Sequence, residues 1–300
     1  MKILDASQTA AALPYPKLIA ELARVLQQAD QGQVSEPLRT VHELPGGAHL
    51  LLMPAWDAEL GVVKRISVHP NNAEQNLPSS RAELLAFDAR NGAGLFLADG
   101  DVVTARRTAA LSLLAAQTLH PTSIEGILII GAGRQAQAHA NAFAEVFKPK
   151  RFFLYNRTLS RASNLANHIR EKGIHAQTVP HPERIGHQVD CIISATSSRT
   201  PVVPEGVRDD VCVIAVGAYT PEMAELPPKL IKRSSIVVDT LSGARAEAGD
   251  LIRAGVSWEN VIPLAKALVD PPTSYPIIFK SVGSAIFDLA AARLIAAYGI

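Results

Sequence analysis

The stretch that most constrains this chain is residues 125–136, where an apolar run leads directly into a glycine-rich turn and then a helix-forming segment. Ile127 to Ile130 are followed by Gly131-Ala132-Gly133-Arg134-Gln135-Ala136, and a helix is predicted from about Gln135 to Phe147. A strand, a GxGxxA turn and a helix in this order are typical of dinucleotide-binding folds. The stretch therefore predicts a nucleotide site on a parallel sheet.

Each small residue of the turn has its own part in that prediction. Gly131 allows the tight turn, Gly133 lets the backbone approach a pyrophosphate, and Ala136 lets the helix pack closely on the strand. The first-turn amides and the helix dipole attract phosphate groups. A structural glycine turn is the alternative, because GxGxxA alone occurs often by chance, but the surrounding strand and helix favour the nucleotide site.

The next strand indicates which nucleotide is preferred. Arg151 to Tyr155 is predicted as a strand, and Asn156-Arg157-Thr158 follows it, with Arg161 one turn further on. NAD-binding chains usually have Asp or Glu at the place of Asn156, where it accepts from the ribose 2′-OH. Because guanidinium groups bind a 2′-phosphate and a carboxylate repels it, the sequence predicts NADPH, with NADH as a second cofactor left open. The alternative is that Arg157 is a solvated loop charge.

Composition limits the class of protein. The chain has 300 residues, 48% hydrophobic and 19% charged, which is typical of a globular protein with two domains or one large one. Its net charge of +1 gives no support for nucleic-acid or membrane partners. Two cysteines in apolar runs, with no evident signal peptide or membrane-length apolar run, favour a cytoplasmic location.

Residues from about 121 to 270 alternate short apolar strands with helical segments, which predicts an α/β domain with a Rossmann-type, doubly wound parallel sheet. Ligands of such sheets lie beyond the carboxyl ends of the strands, where Thr196 and Ser197 follow one strand. An ordinary strand-to-helix turn gives the same Ser/Thr pattern. The predicted strands are Gly126–Ile130, Arg151–Tyr155, Ala176–Val179, Cys191–Ala195, Val211–Val216 and Ile236–Asp239.

Residues 1–120 are predicted to form a second, α+β domain with a largely antiparallel sheet. The apolar positions of a final helix, about Val282 to Tyr298, need a cover, so residues 271–300 are predicted to return to this domain. A ligand site is expected in the cleft between the two domains. The predicted elements are helices Pro16–Gln28 and Val102–Leu119 and strands Arg39–Glu43, Ala48–Met53, Gly61–Val68, Ala82–Asp88 and Gly94–Ala98.

The sequence offers no support for metal chemistry or serine hydrolysis. Its nine histidines form no HxxxH or HxH pair, and neither a Cys/His cluster nor a GxSxG motif occurs. An enzyme that transfers a hydride would then rely on cationic side chains to anchor its substrate. No metal is therefore expected.

Seven short motifs occur along the chain: Met53-Pro54-Ala55-Trp56, Gly61-Val62-Val63-Lys64, Leu77-Pro78-Ser79, Thr104-Ala105-Arg106-Arg107-Thr108-Ala109-Ala110, Gly131-Ala132-Gly133-Arg134-Gln135-Ala136, Glu247-Ala248-Gly249-Asp250 and Phe279-Lys280-Ser281-Val282-Gly283. In this order and spacing they resemble the ornithine cyclodeaminase and mu-crystallin family over nearly the whole chain. The resemblance implies that Arg39, Lys64 and Arg107 converge on a substrate carboxylate. It also implies a homodimer formed through the first domain.

Physical reasoning supports this set of cations. Arg matches a planar carboxylate with a bidentate fork. Lys64 lies on a largely apolar strand, where burial and flanking Arg charges would lower its pKa and let it polarise the substrate or pass a proton. A lysine that snorkels from an edge strand is the alternative. Adjacent helical residues point about 100° apart, so the family pattern selects Arg107 and leaves Arg106 as a surface or salt-bridge residue.

Two departures from the cyclodeaminase pattern favour the reductase branch of the family. Tyr219 takes the position of an Asp that serves in cyclodeamination, and Asn156-Arg157 disfavours the NAD that cyclodeaminases retain. The resemblance implies NAD(P)H-dependent reduction of cyclic imino acids, Δ1-pyrroline-2-carboxylate to L-proline or Δ1-piperideine-2-carboxylate to L-pipecolate. The alternatives are an alanine-type amino-acid dehydrogenase, an ornithine cyclodeaminase and a non-catalytic, crystallin-like protein that binds NADPH or hormone.

The candidate site residues fall into two groups. Lys64 and Arg107 are predicted to be catalytic, and Arg39, Lys64, Arg107 and Val282 to bind the substrate. The cofactor-binding candidates are Ser79, Arg107, Gly131, Gly133, Arg134, Gln135, Asn156, Arg157, Thr158, Arg161, Thr196, Ser197 and Ser281.

Overall fold

The computed structural model describes residues 1–75, 77–120 and 123–298. The strands are β1 (Lys2–Leu4), β2 (Thr40–Leu44), β3 (Ala48–Trp56), β4 (Leu60–Val68), β5 (Ser80–Asp88), β6 (Gly94–Asp99), β7 (Gly126–Ile130), β8 (Arg151–Tyr155), β9 (His175–Thr178), β10 (Cys191–Ser194), β11 (Cys212–Ala215), β12 (Ser235–Val238), β13 (Ile262–Pro263) and β14 (Ile277–Lys280). The helices are α1 (Ala6–Ala11), α2 (Tyr15–Asp30), α3 (Gly100–Leu119), α4 (Arg134–Val146), α5 (Leu159–Arg170), α6 (Pro228–Arg233), α7 (Leu241–Glu247), α8 (Gly249–Ala254), α9 (Leu264–Ala267) and α10 (Ala285–Ala297).

The chain divides into two compact units, and the first consists of Met1–Ala110 and Ser284–Ile300. Its sheet, in the described residues, has the order β1-β6-β5-β4-β3-β2 and is antiparallel except where β1 runs parallel to β6. The five antiparallel strands lie close to their predicted positions, whereas β1 was not predicted. At three residues, β1 is too short to show a period-2 pattern.

The final helix, α10, packs in the first unit against α2, β3 and β4. All its residues from Ala285 to Ala292 are buried, which fits a helix that is apolar on nearly every side. In the described part of the chain, neither α10 nor any other helix combines the length and apolar composition that crossing a bilayer requires.

The second unit, Leu111–Gly283, contains a parallel sheet with the order β13-β12-β14-β11-β10-β7-β8-β9 in the described residues. This is the predicted Rossmann-type sheet, and its central strands are buried without a break, as parallel strands covered on both faces are. The predicted domain limits differ from these units. Residue 121, the predicted start, and residues 299 and 300 lie outside the described residues.

The predicted limit at residue 270 is corrected by β14. This strand, Ile277–Lys280, was assigned to the returning segment, but it pairs in parallel with β11 and with β12 and lies between them. Four buried residues, Ile-Ile-Phe-Lys, form it. So short an apolar run next to a predicted helix gives no local sign of the sheet to which it belongs.

Candidate active site

In the first unit, two of the three predicted cations contact one buried carboxylate, and the third acts on the charge of Lys64. Lys64, on β4, is fully buried, and its Nζ donates to Asp288 Oδ1 at 2.9 Å and lies 2.8 Å from Oδ2. Arg107, on α3, is 4% exposed, and its Nε donates to the same Oδ1 at 3.3 Å. Arg39, immediately before β2, is close enough to act on the charge of Lys64. Asp288, on α10, thus accepts hydrogen bonds from both a lysine and an arginine.

The alternation of β4 explains why Lys64 is buried. Val62 and Lys64 point to the face that α10 covers, whereas Arg65 points to the other face and forms an exposed ion pair with Glu83. A fully buried ammonium is costly unless it is paired and hydrogen-bonded. Asp288, on the covering helix, is that partner.

Burial lowers the pKa of Lys64 from 10.5 to about 8, because the ammonium loses its hydration. Asp288 opposes this shift, and the positive charges of Arg107 and Arg39 add to it. The sequence predicted this direction from the same two causes, burial and neighbouring arginines. Lys64 is therefore mainly an ammonium at neutral pH, yet its pKa is near enough to neutrality for proton transfer.

Asp288 was not among the predicted site residues, although the sequence contains a sign of it. It is the one charged residue between Ala285 and Ala292, and an acid in so apolar a stretch needs a partner. Arg106 also differs from its prediction as a surface or salt-bridge residue. It is half-buried, its Nε donates to Leu13 O at 2.7 Å, and its guanidinium carbon lies 4.2 Å from the centre of the Tyr15 ring.

In the second unit, the glycine turn lies at the carboxyl end of β7. Gly131 has a φ of 115°, and a Cβ there would lie 2.5 Å from the Ala195 carbonyl oxygen, so a side chain is excluded. Gly133 is the N-cap of α4, where a Cβ would meet open space. Gly133 has no side chain with which to cap α4, so the N-cap residue itself does not block an anion at the start of this helix.

The segment after β8 lies beside this turn. Asn156 Nδ2 donates to Thr158 O at 3.0 Å, and Arg157, Thr158 and Arg161 are exposed. A cavity of about 270 Å³ opens here, and a guanidinium forms part of its wall. Its lining residues are Ala132, Gln137, Arg161, Asn164, Leu165 and His168.

The loops after β10 and β11 are tied together by Glu225, a fully buried acid that the sequence analysis did not predict. Its Oε1 accepts from Ser194 Oγ at 2.5 Å, from Thr196 N at 2.7 Å and from Thr196 Oγ1 at 2.8 Å. Its Oε2 accepts from Gly217 N at 2.7 Å and from Ala218 N at 3.1 Å. Thr196, a predicted cofactor-binding residue, thus directs its hydroxyl proton to Glu225.

A buried ion pair supports Glu225 from behind. Asp250 Oδ1 accepts from the backbone N–H of Glu225 at 2.5 Å and from that of Leu226 at 2.8 Å. Asp250 Oδ2 lies 3.1 Å from Lys280 Nζ, and both of these side chains are fully buried. Lys280 ends β14, so this pair joins β14 to the loops that Glu225 holds.

Two further predicted residues wrap a carboxylate at the same edge of the sheet. The Ser281 hydroxyl donates to Asp239 Oδ2 at 2.7 Å, and the N–H groups of Val282 and Gly283 donate to it at 3.0 and 2.7 Å. Ser281 was predicted to bind the cofactor and Val282 the substrate, and both are buried. The contacts of both residues with Asp239 are within the second unit.

The predicted site residues therefore fall into two sets, one in each unit. Arg39, Lys64 and Arg107 converge in the first unit, where Ser79 is exposed just before β5. In the described residues, no group of three or more His, Cys, Asp or Glu could hold a metal ion. The second set follows β7, β8, β10 and β14 and consists of Gly131, Gly133, Arg134, Gln135, Asn156, Arg157, Thr158, Arg161, Thr196, the exposed Ser197, Ser281 and Val282.

Comparison with known proteins identifies the family to which this chain belongs. The model of the ornithine cyclodeaminase/mu-crystallin family matches residues 2–298. The chain belongs to this family. Among family members, it is 40% identical over 294 residues to Δ1-pyrroline-2-carboxylate reductase 1 of Burkholderia multivorans, covering 97% of this chain and 94% of that protein. It is 39% identical over 293 residues to the Δ1-pyrroline-2-carboxylate/Δ1-piperideine-2-carboxylate reductase of Azospirillum brasilense, covering 97% and 94%.

A solved family structure is similar over the same length. The Δ1-pyrroline-2-carboxylate reductase of Thermococcus litoralis, in complex with NADH and L-proline, has a TM-score of 0.91 and 29% identity, covering 99% of this chain and 97% of that one. In the present chain, the glycine turn of the second unit fits a nicotinamide dinucleotide. Gly133 leaves the space that a Cβ would fill, and Gln135 Oε1 is buried without a hydrogen-bond partner in the described residues.

Proposed function

We propose that this chain is an NADPH-preferring reductase of small cyclic imino acids, forming L-proline from Δ1-pyrroline-2-carboxylate and L-pipecolate from Δ1-piperideine-2-carboxylate. The observation that carries the proposal is the buried pair of Lys64 and Arg107, with the half-buried Arg39 close enough to act on Lys64, because these cations suit a small carboxylate. The reactions named for the Burkholderia and Azospirillum relatives supply the substrate class.

Arg107 is the main anchor for the carboxylate in this proposal. Asp288 occupies its Nε, and in the described residues its two terminal nitrogens have no hydrogen-bond acceptor. Those two nitrogens form a planar fork that matches a carboxylate with two parallel hydrogen bonds. Arg39 and Lys64 add positive charge beside the fork. A carboxylate held in this way fixes the orientation of the attached C=N group.

Lys64 is assigned the proton that the reduction needs. A reduced nicotinamide, when bound, would supply the hydride for the C=N carbon. That carbon is more electrophilic when the imine nitrogen is protonated, and Lys64 holds a proton at Nζ while its pKa, about 8, exceeds the ambient pH. The role in proton supply and the role as a third cation both require the ammonium form. We therefore expect kcat/KM to fall as the pH rises through about 8.

The cofactor-binding residues are proposed to be those that follow β7, β8 and β10. The uncapped start of α4 would hold the pyrophosphate, and Gln135 would meet a donor of the cofactor. Preference for NADPH is supported by Asn156 in place of an acid and by Arg157 and Arg161 nearby, since these guanidinium groups suit a 2′-phosphate. Arg161 lines the cavity beside the turn.

We also propose that the chain forms a homodimer through its first unit. At the edge strand β2 and the segments beside it, Leu38, Val41 and Trp56 are large exposed apolar side chains. Exposed apolar surface of this kind is typical of protein interfaces. A cytoplasmic location is part of the same proposal, and the free, buried thiols of Cys191 and Cys212 are consistent with a reducing compartment.

The test is NADPH oxidation by the purified protein with Δ1-pyrroline-2-carboxylate, repeated with the six-membered imine, with NADH, and with pyruvate plus ammonia. The proposal expects rapid oxidation with a cyclic imine alone and a higher kcat/KM for NADPH than for NADH. Turnover only with pyruvate and ammonia would assign an amino-acid dehydrogenase instead. NADPH binding without any turnover would support the crystallin-like binding protein.

A further inference from the structure

We infer that Asp288 is the positioning residue of the cation cluster, holding Lys64 and Arg107 so that their remaining donors meet an incoming carboxylate in a set geometry. The inference rests on the proposed reductase function and extends it to a residue outside the predicted site. Asp288 itself makes no contact with substrate in this account. It acts through the two cations that it holds.

The first support is the position of Asp288 among its neighbours. It is fully buried on α10, and both of its oxygens lie within 3 Å of Lys64 Nζ. On β3 and β5, the residues in register with Lys64 are Met53 and Leu84, which carry no charge. The charged groups that act most strongly on Lys64 are Asp288 from α10, Arg107 from α3 and Arg39 before β2.

The second support is the way in which Asp288 contacts Arg107. The contact is to Nε, at 3.3 Å, on one edge of the planar guanidinium. An acid that instead held the two terminal nitrogens would occupy the fork that a substrate carboxylate needs. Holding by Nε fixes the plane of the guanidinium and leaves that fork available. The same oxygen also receives Lys64 Nζ, so both cations are oriented by one atom.

The third support is the balance of charge. Of the charged groups that act most strongly on Lys64, Asp288 is an anion and Arg107 and Arg39 are cations, and a substrate monocarboxylate would add an anion. Without Asp288, burial and the two guanidinium groups would still lower the pKa of Lys64, so it would lose its proton at a lower pH. Asp288 therefore keeps Lys64 charged over the neutral range, in the form that the proposed reaction requires.

The test compares Asp288→Asn and Asp288→Glu with the unchanged protein. The kcat and KM for Δ1-pyrroline-2-carboxylate are measured from pH 6 to pH 10 at saturating NADPH. In Asp288→Asn, the fall of kcat/KM at high pH should move down by about one pH unit or more, and the KM for the imine should rise about tenfold, as loss of a buried partner charge implies. In Asp288→Glu, the pH of the fall and the KM for the imine should both return most of the way to the values of the unchanged protein. The KM for NADPH should stay unchanged in both variants.

Asp250→Asn is the matched control. It also neutralises a fully buried aspartate paired with a fully buried lysine, but in the second unit. If the effect of Asp288→Asn came only from a weakened fold, Asp250→Asn would move the high-pH fall in the same way. We expect both variants to lower the unfolding temperature and only Asp288→Asn to move that fall.

Lys64→Arg provides a measurement that does not depend on the folding of Asp288→Asn. Arginine keeps its charge at high pH, so the fall near pH 8 should disappear in this variant even if its turnover is low. A fall that stays in place in Lys64→Arg or in Asp288→Asn would belong to the imine or to another group, and it would overturn the inference. Absence of imine reduction by the unchanged protein would instead refute the proposed function, so the two failures are distinct.

Discussion

At the scale of single residues, two fully buried lysines of the described chain each pair with a fully buried aspartate. Lys64 pairs with Asp288 in the first unit, and Lys280 pairs with Asp250 in the second. Removing one partner of a buried pair leaves an uncompensated charge, which typically costs about 3–5 kcal/mol of stability. The two pairs differ in what adjoins them. Lys64 has two arginines beside it, whereas Asp250 orients the backbone of Glu225.

Replacing Arg107 with alanine should greatly lower kcat/KM for the imine, whereas replacing the adjacent Arg106 should not. Arg107→Ala loses a proposed pair of charge-assisted hydrogen bonds, each worth roughly 1.5–3 kcal/mol, so kcat/KM for the imine should fall at least about a hundredfold. Arg106→Ala is the control, because Arg106 contacts Leu13 O and the Tyr15 ring rather than Asp288. Steady-state kinetics of both variants decide the point, and a near-normal kcat/KM in Arg107→Ala would contradict the carboxylate clamp.

Introducing an acid at residue 156 should shift the cofactor preference. In Asn156→Asp, the new carboxylate would repel a 2′-phosphate and accept from a 2′-OH, so the ratio of kcat/KM for NADPH to that for NADH should fall about tenfold or more. Asn167→Asp adds the same charge to an exposed position of α5 outside the cavity lining. It should leave the ratio unchanged, and an unchanged ratio in Asn156→Asp would argue against the predicted ribose site.

The residues that sequence could predict are those marked by a local anomaly. Lys64 is a charge within an apolar strand, and Gly131 is a glycine between a strand and a helix. Asp288 and Glu225 act through partners that are distant in sequence, Lys64 being 224 residues from Asp288. The apolar stretch around Asp288 marks it as an acid that needs a partner, but no local pattern identifies Lys64 as that partner, and the role of Asp288 was missed for this reason.

At the scale of elements, Glu225 fastens two loops at the carboxyl edge of the parallel sheet. Five donors meet its two oxygens, one from Ser194 at the end of β10 and four from the loops after β10 and β11. The strand ends are tightly packed around it. A Cβ on Gly217 would lie 2.2 Å from Thr196 O, and one on Gly131 would lie 2.5 Å from Ala195 O. This edge therefore has little freedom to rearrange around a bound cofactor.

Glu225→Gln should weaken both stability and cofactor binding. The amide –NH2 would face N–H groups that need an acceptor, and each buried donor left unsatisfied costs about 1–3 kcal/mol. We expect a clear fall in the free energy of unfolding and a higher KM for NADPH. Glu222→Gln, an exposed position three residues earlier, should change neither. Urea unfolding and cofactor titration test this, and equal behaviour of the two variants would contradict it.

Elements with a clear period were predicted well, and those defined by long-range pairing were not. β7 and β8 have the predicted limits, and the other predicted strands of both sheets lie close to theirs. β14 was missed because its place between β11 and β12 depends on a return of the chain after β13. That return is a property of the folded sheet, and no pattern within Ile277–Lys280 encodes it.

At the scale of the whole molecule, His139 should contribute to the pH dependence of the free energy of unfolding. It is fully buried in the second unit, its Nε2 lies 2.9 Å from Ser112 Oγ, and burial lowers its pKa from 6.5 to about 4. Between these values the unfolded chain binds more protons than the folded one. The contribution of neutral His139 is therefore complete above pH 6.5 and is lost as the pH falls towards 4.

This shift predicts that stability falls by about 2 kcal/mol from His139 alone between pH 7 and pH 5. Urea unfolding of the intact protein at the two pH values measures the fall. His139→Gln removes the titrating group, so its fall should be smaller by about that amount, with contributions from other groups cancelling. An identical fall in the two proteins would show that His139 does not stay neutral in the folded state.

The first unit is built from two segments that are far apart in the sequence, and this has a consequence for its synthesis in the cell. The anion that Lys64 needs is made 224 residues after Lys64 itself. At about 5–20 residues per second, a ribosome takes roughly 10–45 seconds to cover that distance. During this time the antiparallel sheet emerges without α10, so an unpaired lysine and the apolar face around it stay in contact with solvent and chaperones. The cation cluster is thus completed only after the parallel sheet has been translated.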